Sequence, residues 1–200
     1  MTNAQRLLLR LSTLAILIAV ATVTVEAVRK KILTDPTFDY SKLGTWNWSP
    51  AGAGDVKIWM TTAPKPEPVK RKWEPVLMKD VEDQLTARGY ARATSGTPDF
   101  LVTYMVLVTI GTSEQQMGQF LPTNANWGLQ PFAPQTTSLD MYPSGMLIVD
   151  AAAGTPSVVV WRGMAEAKVE AEISDAKRTD KLQGIIKDLL SKFPKKGEKK

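Results

Sequence analysis

Neither cysteine nor histidine occurs anywhere in the chain. The absence of cysteine excludes disulfides, thiol nucleophiles and thiolate metal sites, and it removes the acceptor for lipid attachment at a bacterial leader. The absence of histidine removes the usual general base near neutral pH and the commonest metal ligand. Most hydrolytic and metal-dependent chemistries therefore lose their usual residues, and the sequence predicts no cofactor, no metal site and a protein that is not an enzyme.

A short apolar segment near the start of the chain has the form of a secretory leader. Arg6 and Arg10 precede an uncharged run over residues 11–25. That run is shorter than the ~20 residues that a helix needs to cross a bilayer. Two small-x-small sites, which end at Ala21 and Ala27, favour cleavage, with a slight preference for the second. We therefore expect a signal peptide and a protein that works outside the cytoplasm.

The basic residues Arg29, Lys30 and Lys31 lie directly behind the second site. Positive charge next to an apolar segment tends to stay in the cytoplasm and slows export. Residues 1–27 are thus predicted to be a signal peptide or an uncleaved N-terminal anchor, with a buried cytosolic helix as the third alternative. We expect a periplasmic or envelope-associated protein, and membrane contact through the N-terminus if the anchor is retained.

The rest of the chain has the size of one domain, which we place at residues 28–194. Residues 195–200 contain four lysines and one glutamate. A short lysine-rich end of this kind is usually solvated, and contact with anionic lipid or lipopolysaccharide is the alternative.

Hydrophobic periodicity predicts two helices. Trp73, Leu77, Val81 and Leu85 recur at four-residue intervals, which is typical of one face of an amphipathic helix. The second apolar stripe ends before Pro194 and consists of Leu182, Ile185, Ile186, Leu189, Leu190 and Phe193. Six prolines and glycines over residues 49–72 predict a loop there, with a short strand over 56–60 as a secondary possibility.

Alternating or β-branched segments predict strands over 38–48, 100–110, 145–151 and 158–171, the last two joined as a hairpin. The element order is then β-α-β-β-β-α. This order favours an α+β fold in which two helices pack on one face of a mostly antiparallel sheet of about four strands.

A long loop over residues 111–144 is rich in Gln, Asn, Thr, Pro and Gly, yet it carries several large apolar side chains. Loops of this length are commonly functional or disordered. Apolar side chains in a polar loop favour contact with a partner. We therefore select Phe120, Trp127, Phe132 and Tyr142 as candidate partner-binding residues.

Arg162 is the fifth candidate, because it lies in the distinctive tripeptide Trp161-Arg162-Gly163. Its planar guanidinium suits a phosphate or a carboxylate ligand. The structural alternative places Trp161 in the core and pairs Arg162 with Asp150 across the predicted hairpin. In that alternative Gly163 allows close approach of a neighbouring backbone or forms a bulge.

Several short motifs follow one another in order along the chain. They are Phe38-Asp39-Tyr40-Ser41-Lys42, Thr45-Trp46, Arg88-Gly89-Tyr90, Pro98-Asp99-Phe100-Leu101-Val102, Gly145-Met146-Leu147-Ile148-Val149-Asp150, Val160-Trp161-Arg162-Gly163 and Phe193-Pro194. In their order and spacing these motifs resemble the bacterial envelope family known as domain of unknown function 4136. The resemblance implies an envelope location and an α+β domain, and it supplies no established activity or catalytic residues.

These observations favour a non-enzymatic envelope protein that binds another envelope protein, a lipid or a cell-wall component, in an oligomeric state that the sequence does not define. The alternative is a carboxylate-based enzyme that acts on an envelope glycan through a pair among Asp99, Asp140 and Asp150. A cytosolic nucleic-acid-binding protein is suggested only by the basic pI, without a recognisable motif, so no nucleic-acid partner is expected.

Overall fold

The computed structural model describes residues 28–59, 65–110, 143–170 and 172–198. The predicted leader and four of the candidate residues, Phe120, Trp127, Phe132 and Tyr142, lie outside these ranges. Within them, neither helix combines the length and the apolar character needed to cross a bilayer.

In the described residues the chain forms one sheet, two α-helices and a short 3₁₀ helix at Tyr40–Lys42. The helices are α1, Pro66–Ala87, and α2, Asp175–Leu190. The strands are β1 Arg29–Thr34, β2 Thr45–Trp48, β3 Gly54–Trp59, β4 Ala91–Arg92, β5 Phe100–Ile110, β6 Pro143–Ala153 and β7 Val158–Lys168.

The seven strands form a mixed sheet in the order β1-β7-β6-β5-β2-β4, with β3 also paired to β5. Three strand pairs are parallel: β2 with β4, β2 with β5, and β3 with β5. The contacts of β1, β7, β6 and β5 with one another are antiparallel. The fold is α+β, but the prediction of a mostly antiparallel sheet of about four strands in the order β-α-β-β-β-α is wrong.

The error has an identifiable cause in the segment that precedes α1. Its glycines and prolines favour a loop, and a short strand over 56–60 is the secondary prediction. The structure has a strand, Gly54–Trp59, paired with Tyr104–Thr109 on β5, so the secondary prediction is confirmed for residues 56–59. The first turn of α1 contains Pro66 and Pro68, and proline is tolerated there because the first amides of a helix have no partner within it. This helix carries the chain back so that β5 lies parallel to β2 and β3.

Both helices pack on one face of the sheet. Leu77, Val81 and Leu85 of α1 share a buried cluster with Ile186 and Leu189 of α2. The sheet contributes alternate residues to this cluster, because successive side chains of a strand point to opposite faces. Those residues include Val102, Tyr104, Leu147, Val149, Ala151 and Trp161.

Phe193, just after α2, lies at the centre of an aromatic cluster at one end of the domain. Its ring centroid is 5.2 Å from that of Trp161, 5.4 Å from Tyr90 and 5.5 Å from Phe100. The Tyr90 hydroxyl donates to the Pro194 carbonyl at 3.0 Å, and the Tyr40 hydroxyl donates to the Val160 carbonyl. The cluster therefore joins the segment after α2 to the sheet.

Replacement of Phe193 by alanine should lower the free energy of unfolding by about 3–5 kcal/mol, because it removes a large buried ring. Urea denaturation followed by far-ultraviolet circular dichroism measures this loss. The exposed neighbour supplies the control, since Lys192→Ala should change stability by less than about 0.5 kcal/mol. Equal unfolding midpoints for the two variants would contradict the role assigned to the ring cluster.

Candidate functional site

Arg162 and Asp150 form a buried ion pair between β7 and β6. The two residues are opposite each other in the strand register. Arg162 Nε donates to Asp150 Oδ1 and Nη2 donates to Oδ2, both at 2.6 Å, and the side chains are 1% and 8% exposed. The predicted pairing of Arg162 with Asp150 is confirmed.

The guanidinium is held by this carboxylate rather than directed at an open surface. Burial raises the pKa of the Asp150 carboxyl, and the hydrogen bonds and charge of Arg162 oppose that rise. Arg162 Nη1 is buried without a hydrogen-bond partner. The prediction that Trp161 lies in the core is confirmed, and an added Cβ at Gly163 would come within 2.5 Å of the Trp161 ring, so glycine is needed at this position.

Asp99 has a different structural environment, at the start of β5. Its Oδ2 accepts hydrogen bonds from Gly44 N at 2.9 Å, Thr45 N at 2.7 Å and Thr45 Oγ1 at 2.9 Å. The backbone amide of Thr45 is the largest cause of a lowered pKa for this carboxyl, and burial opposes the effect. Asp99 therefore fixes the backbone that leads into β2.

The carboxylates proposed for glycan chemistry do not form a pair in the described part of the chain. Asp150 is opposite Thr103 of β5, and Thr103 lies four residues after Asp99 in the sequence. Four residues of strand span about 13 Å. This separation exceeds the ~5–9.5 Å between the two carboxyl groups of glycosidases. Asp140, the third member, lies outside the described residues.

A cavity of about 480 Å³ lies beside the interruption between β2 and β3. Trp48 is opposite Val102 and Gly54 is opposite Tyr104, so the five residues 49–53 occupy a stretch where a regular strand would place one residue, opposite Thr103. Ser49 N donates to the Val102 carbonyl and Tyr104 N donates to the Ala53 carbonyl at the two ends of this interruption. The cavity is lined by Ala51, Gly52, Gly54, Asp55, Lys70, Thr103, Tyr104, Met105, Ile148 and Asp150.

Charges of both signs flank this cavity. Asp55 Oδ2 lies 2.6 Å from Lys57 Nζ, and Lys70 Nζ donates to the Gly54 carbonyl at 2.6 Å. Burial acts to raise the pKa of Asp55, but hydrogen bonds from Lys57 and Val56 outweigh it, and the pKa is lowered. Asp55 is thus an anionic acceptor at neutral pH.

The cavity was missed from the sequence, although Gly54 was a usable signal. A Cβ at Gly54 would lie 2.2 Å from the Tyr104 carbonyl oxygen, so only glycine permits this close approach of β3 to β5. The glycines and prolines of residues 49–72 instead predict a loop, with a short strand over 56–60 as the secondary possibility. No cluster of three or more acidic side chains suited to a metal ion occurs in the described ranges.

Removal of one member of the buried pair should cost about 3–5 kcal/mol in unfolding free energy, because it leaves the other charge uncompensated. The test is a double-mutant cycle of Asp150→Leu, Arg162→Met and the combined variant, measured by urea denaturation. We expect the combined variant to recover most of the loss, since an apolar pair leaves no buried charge. Strictly additive losses would contradict the coupling.

Solved structures offer only distant similarity. A PelC dodecamer from Paraburkholderia phytofirmans is 9% identical, with a TM-score of 0.41, over 82% of this chain and 96% of that chain. A PDZ domain protein from Parabacteroides distasonis is 13% identical, with a TM-score of 0.47, over 94% of this chain and 41% of that chain. No curated protein matches the sequence. Similarity at this level carries no functional argument.

The sequence also matches a family model, described as Domain of unknown function (DUF4136), over residues 31–195. Several motifs that carry the resemblance supply the contacts described above. Tyr40, Tyr90, Phe100 and Trp161 surround Phe193, while Asp99 holds Thr45. The match spans most of the chain, and the protein belongs to the DUF4136 family.

Proposed function

We propose that the protein is an exported, non-enzymatic module of the bacterial cell envelope that binds a fragment of the cell wall. The structural roles of Asp99 and Asp150 support the proposal that the protein is not an enzyme. Each carboxylate is held by hydrogen bonds within the fold, the first by Gly44 and Thr45 and the second by Arg162. Asp150 is buried in its ion pair, Asp99 uses Oδ2 to hold the backbone before β2, and the two carboxylates do not share a cleft.

The cavity beside the β2–β3 interruption is the recognition site in this proposal. Its volume of about 480 Å³ lies within the range of small-ligand sites. Met105 and Ile148 supply apolar surface. Asp55, which pairs with Lys57, and Lys70, whose Nζ lies 3.7 Å from Glu74 Oε1, supply opposite charges at the wall.

This combination suits a zwitterionic ligand that also carries small apolar groups. The stem peptides of the bacterial cell wall have amino groups, carboxylates and methyl side chains, which match Asp55, Lys70 and the apolar lining respectively. The Thr103 hydroxyl adds a further hydrogen-bonding group at the cavity wall.

Export predicts a chain that is processed or anchored outside the cytoplasm. Mass spectrometry of the protein from fractionated cells should find a mature N-terminus near Thr22 or Val28 in the periplasmic fraction, or an intact N-terminus in the membrane fraction. A soluble cytosolic protein of known location and an outer-membrane protein serve as fractionation controls. An intact chain confined to the cytosol would contradict the envelope location.

Blocking the cavity should weaken ligand binding without changing the fold. Ala51 lines the cavity and is exposed, so Ala51→Trp places a large ring at its entrance. Isothermal titration with soluble muropeptides, released enzymatically from purified peptidoglycan, should show affinity about tenfold weaker, equivalent to about 1.4 kcal/mol.

The matched control is Ala87→Trp, at an exposed alanine near the C-terminal end of α1 and outside the cavity. It should bind muropeptides as the unaltered protein does. Equal weakening in both variants, or no binding by the unaltered protein, would overturn the assignment of the cavity.

A further inference from the structure

The two helices run parallel to each other, so both begin at the same end of the domain. Lys72 Nζ of α1 lies 2.6 Å from Asp175 Oδ2 of α2. Further along, Gln183 Nε2 donates to Asp80 Oδ1 at 3.2 Å. The two contacting pairs have the same sequence separation of 103 residues, which requires the helices to advance in the same direction.

The shared N-terminal end of the helices is basic. Residues 65–74 and 174–178 together contain six lysines and arginines against three acidic residues. The amino ends of both helix dipoles add partial positive charge at the same place. We define the basic end as the side chains Lys65, Arg71, Lys72, Trp73, Lys177 and Arg178.

Most cations of the basic end are not neutralised within the fold. Lys65, Arg71 and Lys177 are exposed and Arg178 is half-buried. In the described ranges, none of these four has a carboxylate at ion-pair distance, whereas Lys72 pairs with Asp175. Their charge is therefore available to an anionic surface.

Trp73 provides an amphipathic ring among these cations. It is half-buried, Lys72 Nζ is 5.3 Å from its ring centroid, and the Arg178 guanidinium carbon is 6.0 Å away. Tryptophan next to lysine and arginine is the combination found where proteins meet the headgroup region of a membrane, because the ring is apolar at one end and polar at the other.

The chain before residue 28 joins the domain at the start of β1. Arg29 is opposite Glu166 near the end of β7, and Lys30 Nζ lies 2.6 Å from Asp188 Oδ2 in the last turn of α2. The basic end, at the first turns of both helices, is therefore a surface separate from the start of β1.

We propose that the basic end docks on an anionic phospholipid surface. The first turns of both helices then face the membrane, and the domain stands with its Phe193 cluster away from the lipid. The inference rests on the envelope location in the proposed function but not on the cavity, and it assigns the membrane as a second partner of the module.

The test compares the full chain on vesicles of phosphatidylcholine with vesicles that also contain phosphatidylglycerol, using co-sedimentation at low and high ionic strength. The measured quantity is the ratio of the two partition coefficients, because any charge-independent partitioning of the apolar run contributes to both. We expect a ratio well above one at low salt and a ratio near one at high salt, since exposed charges are screened.

Charge reversal at the basic end should abolish this preference. Each cation near an anionic surface strengthens binding about fivefold. The triple variant Arg71→Glu/Lys177→Glu/Arg178→Glu should therefore lower the ratio about 100-fold, or bring it to one if the ratio of the unaltered protein is smaller than that. The conservative variant Arg71→Lys/Arg178→Lys should retain it, because the charge rather than the guanidinium geometry is required.

A matched variant reverses three exposed lysines at the other end of the domain, Lys42→Glu/Lys192→Glu/Lys195→Glu. It has the same net charge as the first triple variant and should retain most of the preference. Equal losses of the phosphatidylglycerol preference in the two triple variants would show that only net charge matters. That result would overturn the assignment of the basic end as the docking site. The same conclusion follows if the unaltered protein shows no preference for phosphatidylglycerol.

Circular dichroism and urea midpoints verify that all three variants fold. Muropeptide titration of the basic-end variant, without vesicles, separates this inference from the proposed cavity. Loss of lipid preference with unchanged muropeptide affinity is the expected result. Failure of the cavity test leaves the vesicle result unaffected, so the two proposals fail separately.

Discussion

The packing of Phe193 against Tyr90, Phe100 and Trp161 is the contact on which the rest of the fold depends. These rings come from the turn after α1, from β5 and from β7, which are distant in sequence. Edge-to-face and tilted ring pairs stabilise beyond their buried area. Through them Phe193, in the segment that follows α2, joins the helix layer to the central strands.

Much of the architecture could be predicted from periodicity. The apolar spacing of Leu77, Val81 and Leu85 identified the first helix, and the alternation around Trp161 identified β7 and its ion pair with Asp150. The secondary structure of these segments can be predicted because one face of each element is buried, so apolar residues recur at a regular spacing. The number and direction of the strands were not predictable in the same way.

The strands that were missed are short, glycine-containing or charged. Gly54 begins a strand where its lack of a side chain permits contact with Tyr104. The sequence favoured a loop over this segment and offered a strand over 56–60 only as the secondary possibility. The edge strand β1 begins with Arg29, Lys30 and Lys31, residues that are common on edges because they discourage pairing with other chains. The cavity could not be predicted from the sequence either, because its lining comes from four separate segments and no short motif encodes it.

The position of Phe193 in the sequence sets a limit on when this domain can fold. During synthesis, β5 and β7 are complete well before the chain reaches residue 193, but their shared aromatic cluster still lacks its central ring. The aromatic cluster therefore forms only after residue 193 has been synthesised. A chain that ends before this residue lacks the ring that covers Tyr90, Phe100 and Trp161, so the last turns of the domain are as necessary to its core as the central strands.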